Sequence, residues 1–357
     1  MNNVDKEYFR IADLILTKGK RKDNRTGVPT ISIFGAQSRY DLSEGFPILT
    51  TKKINFAAVT HELLWFLSGD TNIKYLVDNN VKIWNEWPYK KYCDSLSQYQ
   101  YRNLPKLTQD EFVENIKNSK DFADQWGNLG AGTYGRMWRD FPSDAREDNG
   151  ARVHGVDQIE TVLDQLRKDP DSRRIIVTAW HPYYVNKAAL PACHFCYQFY
   201  TEELTLEERE EIYSNTIFKK GYGIGSPYNN DNQSDDLKHA NLDSIDIPKR
   251  RLSLNLTQRS QDYFLGAPFN ISSYCLLIHL FCRELNMIPG EFINSIGDVH
   301  LYENHIEQIK FQMQQESKPL PQLLLRPSIE NVLDFKFDDI LLENYQHGPV
   351  IKAPVAV

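Results

Sequence analysis

The chain has 357 residues, 41% of them hydrophobic and 25% charged, and a formal net charge of −7. That length allows a sizeable core, as one large domain or two smaller ones. The acidic balance argues against a general basic surface for nucleic acid or anionic membrane, and five cysteines in a long chain do not make a secreted disulfide framework.

The opening stretch "MNNVDKEYFRIADLI" is polar and has no apolar signal-peptide region, so a soluble cytoplasmic protein is expected. "INFAAVTHELLWFL" is apolar almost all round and reads as a buried helix. Residues 88–125 are polar and rich in Tyr and Lys, and read as a surface insertion. "VDQIETVLDQLRK" predicts an amphipathic helix with Val156, Ile159, Val162, Leu163 and Leu166 inward, ended by "DPDS".

"RRIIVTAW", "CHFCYQFY" and "RLSLNLTQRS" read as strands, the last alternating Leu252, Leu254 and Leu256 against Ser253, Asn255 and Thr257. Residues 202–250 start with an acidic helical stretch and pass into a Gly- and Asn-rich loop, a second surface insertion that swells the turn between two neighbouring strands. "ISSYCLLIHLFCREL" is another buried helix, and its apolar run is too short to span a bilayer. Helices mixed with strands, without a regular βαβ repeat, predict an α+β fold.

Cys193 and Cys196 stand in C-x-x-C spacing beside His194. On a strand, positions i and i+3 face opposite sides, which disfavours a shared metal or a disulfide. A zinc site also wants a second ligand pair, and a redox motif wants a helix start. Cys93, Cys196, Cys275 and Cys282 read as small buried hydrophobes. For Cys193, at a strand edge, a working thiol and a core cysteine both stay open.

The strings "DNRTG", "GFPILTTKK", "HELLWFLSGDTN", "IWNEW", "PDSRR", "LPACH", "QRSQD", "LGAPFNISSY", "GDVHLYENH" and "IKAPVAV" follow one another in order. Together they resemble the thymidylate synthase family, whose members methylate dUMP to dTMP with 5,10-methylenetetrahydrofolate. The 88–125 insertion resembles that of lactobacillus-type members. The resemblance implies one domain over 1–357, a mixed β-sheet packed with helices, and a homodimer joined across a sheet face. It implies no metal and no nicotinamide.

By the same resemblance, Cys193 is the nucleophile that adds to pyrimidine carbon 6, a step that suits a thiolate and needs cationic help. Arg25, Arg173, Arg174 and Arg259 match the phosphate-binding arginines, with Ser260 beside them and the Arg173–Arg174 pair reaching the partner's site. Asn270 matches the residue that reads uracil through its donor–acceptor pair; an N-cap for the helix that follows is a competing role. His300 and Tyr302 match the grip on the deoxyribose hydroxyl. Glu62 matches the general acid/base, against a plain buried glutamate held by His61 or backbone. Tyr134 matches the tyrosine tied to carbon-5 proton removal, and His194 and Gln258 support the network.

The folate site implied is Lys52, Ile83, Trp84, Trp87, Leu190, Asp262, Leu265, Gly266, Phe269, Val355 and Ala356, with Asp262 on the pterin's donor edge and the apolar tail as a closing lid. A pyrimidine-nucleotide hydroxymethylase is the close rival, in which water captures the methylene. An inactive nucleotide- or RNA-binding relative is the rival from another class. Trp84 and Val357 favour methylation, since excluding water is what separates the two outcomes. Three positions depart from the family pattern: a longer loop before Tyr134, Thr257 in place of a tyrosine, and Asn85 in place of an aspartate.

Overall fold

The structure, a computed structural model, describes residues 1–24, 26–98, 101, 103–143, 155–220 and 234–355. Its N-terminal part holds α1 (Asn3–Lys18), β1 (Lys20–Lys22), β2 (Thr30–Asp41), α2 (Phe56–Leu67) and α3 (Lys74–Asp78). Then come α4 (Glu86–Ser95), α5 (Gln109–Asn118), α6 (Lys120–Trp126), α7 (Tyr134–Arg139) and α8 (Gln158–Lys168). β3 (Ile176–Thr178) and β4 (His194–Glu203) are followed by α9 (Leu206–Lys220) and α10 (Asp235–Asp243). β5 (Arg250–Asp262), α11 (Gly266–Leu285), β6 (Ile288–Tyr302), α12 (Ile306–Met313), β7 (Gln322–Leu325) and β8 (Ile340–Glu343) complete the chain.

Six strands form one sheet in the order β1-β2-β6-β5-β4-β3. β5 and β6 run parallel and the other neighbours antiparallel. A parallel pair needs a crossover, and α11 supplies it. Helix and sheet bury Leu276, Leu277 and Leu280 of α11 against Leu252, Leu254 and Leu256 of β5, all fully inaccessible. This mixed sheet backed by helices is an α+β architecture.

α1, not among the expected elements, packs against β2. Asn2 caps it through the Asp5 amide, and Tyr8, Ile11, Ala12 and Ile15 are buried at helical spacing. Asp5 is itself buried and accepts from Thr50 and Thr51, which pins α1 to the segment leading into Lys52.

Several sequence expectations need correction. The strand in "RRIIVTAW" shrinks to Ile176–Thr178, so Arg173 and Arg174 lie in the exposed turn before it. Val156 is 46% exposed because α8 starts only after Asp157, whose carboxylate caps it. The 88–125 segment is no mere surface excursion. Tyr92, Phe112, Ile116 and Trp126 are buried and join the main core, with Phe112 and Trp126 ringing Tyr92. Aromatic side chains spaced along short helices carried that core, and the polar residues between them concealed it.

The 202–250 segment connects β4 to its antiparallel neighbour β5. It has a small core of its own in Tyr213, Leu242 and Ile247. The Gly- and Asn-rich loop expected there falls at 221–233, outside the described residues. Among the described residues, no helix is long and apolar enough to cross a membrane.

Candidate active site

β4, β5 and β6 end at one rim of the sheet, and the stretch "LPAC" enters β4 there. A cleft of about 1400 Å³ opens at this rim. Cys193, Arg259, Ser260, Asp262, His300 and Tyr302 line it, as do Trp87, Leu190 and Val355. β5 brings Arg259, Ser260 and Asp262 to it and β6 brings Asp298, His300 and Tyr302, each where its ladder ends.

Cys193 is half-buried, and its stretch is clamped from two sides. The Arg259 guanidinium donates to the carbonyls of Ala192 and Pro191 at 2.9 and 2.8 Å, and the Arg259 amide donates to the Cys193 carbonyl at 2.9 Å. From the other side, the Tyr134 hydroxyl accepts from the Cys193 and His194 amides at 2.8 and 3.2 Å. Burial, then the nearby Cys193, push the Tyr134 phenol far up, so it stays protonated. The Tyr134 hydroxyl thus lies against the backbone of Cys193 and His194.

The alternation argument about the two cysteines fails locally, because the β4–β5 register shifts between His194 and Cys196. Their separation rests on position instead: Cys193 lines the cleft and Cys196 does not. Nor is Cys196 a core residue. It is half-buried and pairs with Thr257, while its neighbour Tyr197 takes the buried face.

Behind the cleft lies a chain of buried amides. Gln258 donates to Asn294 at 2.9 Å, Asn294 to Gln261 at 3.3 Å, and Gln261 to the Asn270 side-chain oxygen Oδ1 at 2.9 Å. Beside it, burial holds the His194 imidazole neutral, with a pKa lowered to about 4. Gln261 and Asn294 were not singled out from sequence; strand periodicity alone gives no reason to pick them. Asn270 is not an N-cap: α11 starts at Gly266, and the Asp262 carboxylate holds the turn by accepting from the Phe264 and Leu265 amides, each at 3.0 Å.

Glu62, on α2, is buried next to the cleft wall rather than on it. Trp84 donates to it at 2.7 Å, and burial raises its carboxyl to about 7. His61 is not its partner; that ring turns to Tyr75 and stacks on Phe337. Lys52 is also buried, donates to the Phe264 carbonyl at 2.6 Å, and has its pKa lowered to about 7 by desolvation. His300 meets Asp298 at 3.2 Å through Nδ1, leaving Nε2 for the cleft.

Not every expected residue comes to this cleft. Arg173 and Arg174 are exposed and not part of its lining, and neither are Lys52, Ile83, Trp84, Leu265, Gly266 and Phe269. Arg25 and Ala356 lie outside the described residues, though Asn24 and Thr26 line the cleft. The inserted helix α4 adds Lys90, Lys91 and Asp94 to the lining, a contribution its sequence did not announce.

The model of the family described as thymidylate synthase matches residues 6–357. The chain belongs to the thymidylate synthase family. It is 41% identical to the thymidylate synthase of Mycoplasma pneumoniae over 98% of this chain and 99% of that relative. It is 42% identical to that of Aster yellows witches'-broom phytoplasma, over 98% and 99% of the two chains. With the thymidylate synthase of Mycoplasma genitalium the identity is 41% over 99% and 100%. The activity is that of a methyltransferase forming dTMP from dUMP with 5,10-methylenetetrahydrofolate as cosubstrate.

Proposed function

We propose that the cleft at the sheet rim is where this reaction runs, with Cys193 as the nucleophile. The observation that carries the reading is the convergence of Cys193, Arg259, Ser260, Asp262, His300 and Tyr302 on one cavity. dUMP lies with its phosphate on Arg259, Ser260 and Arg25, its sugar hydroxyl on His300 and Tyr302, and its base toward Asn270. The phosphate dianion favours several guanidinium forks at once.

The Cys193 sulfur adds to carbon 6, forming the S–C6 bond, and the displaced electron pair passes through carbon 5 to the carbon-4 oxygen. Carbon 5 is thereby made nucleophilic. Bound methylenetetrahydrofolate supplies the one-carbon unit and the hydride. Glu62, with its carboxyl near neutrality, exchanges protons through water with the pyrimidine oxygen. Tyr134, kept protonated and fixed by two backbone amides, orients the acceptor of the carbon-5 proton. When the product is complete, the S–C6 bond breaks and the thiolate leaves.

The cosubstrate fits the residues present. Asp262 Oδ1 is taken by two amides, while Oδ2 makes no hydrogen bond among the described residues and faces a pterin's donors. Trp87 and Leu190 provide an apolar wall, and Val355 flanks it.

The working unit in this reading is a homodimer of one-domain chains in the cytoplasm. Arg173 and Arg174, exposed here and not part of this cleft's lining, reach a second copy's phosphate site. Exposed Phe34, Ile176 and Tyr200 on strands β2, β3 and β4 support burial against that copy.

Mixing the protein with dUMP and methylenetetrahydrofolate should raise absorbance as dihydrofolate forms, with dTMP in the product mass spectrum. Hydroxymethyl-dUMP as the product would reject methylation. Absence of turnover with dUMP binding intact would return the protein to a binding role.

A further inference from the structure

His305 is fully buried in the short turn Glu303–His305 that follows β6. Its Nε2 lies 2.8 Å from the Pro354 carbonyl oxygen. A carbonyl only accepts, so Nε2 donates. On its other side, Nδ1 is buried without a hydrogen-bond partner, 4.0 Å from Asp262 Oδ1. The ring also leans on Phe264 and Tyr302, with centroids 5.6 and 5.5 Å away. One side chain thus touches the tail, the carboxylate assigned to the pterin, and the tyrosine assigned to the sugar.

The tail makes that contact consequential. Upstream it is well tied: the Gly348 amide donates to the Thr50 carbonyl at 2.7 Å and the Lys53 amide to the Pro349 carbonyl at 3.1 Å. Beyond Pro349, residues 350–355 make one hydrogen bond among the described residues, the one from His305. Apolar packing adds little here, since Val350 and Val355 are 62% and 61% exposed and only Ile351 and Ala353 rest partly on the core. Val355 nevertheless lines the cleft. A single buried donor therefore holds the segment that borders the cosubstrate's space.

We infer that His305 is a positioning residue: by holding the Pro354 carbonyl, it sets how firmly the tail closes over the cosubstrate. The inference rests on the reading of Asp262 as the pterin-binding carboxylate. His305 touches no reacting atom, so its effect falls on cosubstrate affinity and tail order rather than on dUMP. Freed of this bond, the Pro354 carbonyl returns to water and the last residues open.

The test compares His305→Phe, which fills the space without a donor, with His305→Gln, which keeps an N–H able to reach the carbonyl. If the Phe variant does not fold, His305→Asn, too short to reach, replaces it. The donor-less variant should raise KM for methylenetetrahydrofolate by about tenfold, the scale of one buried hydrogen bond. It should leave dUMP affinity within about twofold and speed amide exchange across residues 348–355, and Gln should recover most of both losses.

Unchanged KM and exchange in the donor-less variant would overturn the inference. So would an equal loss of dUMP affinity, which marks a collapsed Tyr302 wall, or a Gln variant no better than Phe. Asp262→Asn separates the two readings. A normal cosubstrate KM in that variant rejects the role of Asp262, while the exchange measurement still decides the role of His305.

Discussion

Glu62 sits in the second turn of α2 with Trp84 as its one hydrogen-bond donor among the described residues, and burial keeps its carboxyl protonated up to about pH 7. The folded-state pKa is raised above the ordinary glutamate value of 4.5, so the stabilising contribution is complete below about pH 4.5 and lost as pH climbs through about 7. Glu62→Gln, which cannot ionise, should therefore match the parent at pH 4.5. At pH 8 it should be the more stable protein, by up to roughly 3 kcal/mol in denaturant unfolding. The same variant should lose about 10²- to 10⁴-fold in turnover. A denaturant midpoint that falls at pH 8 would contradict the assignment of burial as the cause. At this scale the sequence was informative where chemistry is rare, as with a carboxyl in an apolar helix. It misdirected where the partner is distant: His61 is the chain neighbour, yet Trp84 makes the bond.

At the scale of elements, β5, α11 and β6 cooperate through the amides of Gln258, Asn294, Gln261 and Asn270. An amide can turn either end toward a ligand, and this chain of donors and acceptors decides which end of Asn270 is engaged behind the cleft. Gln261→Leu removes that constraint with little change in volume. dUMP affinity should fall about fivefold to tenfold, the worth of one buried hydrogen bond, and the melting temperature should drop as well, since Asn294 is left without its acceptor. Isothermal titration with dUMP reads this directly, and unaltered affinity would remove Gln261 from the account.

Strand and helix identity in this region was readable from Leu alternation in β5 and the apolar run of α11. The amide chain was not, because it joins residues from three elements whose register is a tertiary fact. α4 shows the same limit. Its aromatic and charged residues were visible, but which wall of the molecule Lys90 and Lys91 reach depends on where α5 and α6 pack. α1 is different: its burial pattern at Val4, Tyr8, Ile11 and Ile15 was present in the sequence and went unread among polar neighbours.

Over the whole molecule, the sheet's helix-covered face is dry while the opposite face carries Phe34, Ile176 and Tyr200, exposed by 85%, 43% and 63%. With Arg173 and Arg174 exposed and not lining their own chain's cleft, activity should require a second copy. Tyr200→Glu sets a charge on that face. It should convert the sedimenting species from dimer to monomer and take activity with it, while α-helical circular dichroism stays. A monomeric Tyr200→Glu protein of full activity would reject the shared-site arrangement.

The central claim is that Cys193 forms the covalent bond to the pyrimidine. A 5-fluoro analogue of dUMP tests it, because fluorine cannot leave carbon 5 as a proton does and the adduct is trapped. After incubation with methylenetetrahydrofolate and digestion, mass spectrometry should find nucleotide and cosubstrate together on the peptide bearing Cys193, and no adduct in Cys193→Ser. An adduct on Cys196, or none on the native protein under turnover conditions, would contradict the account.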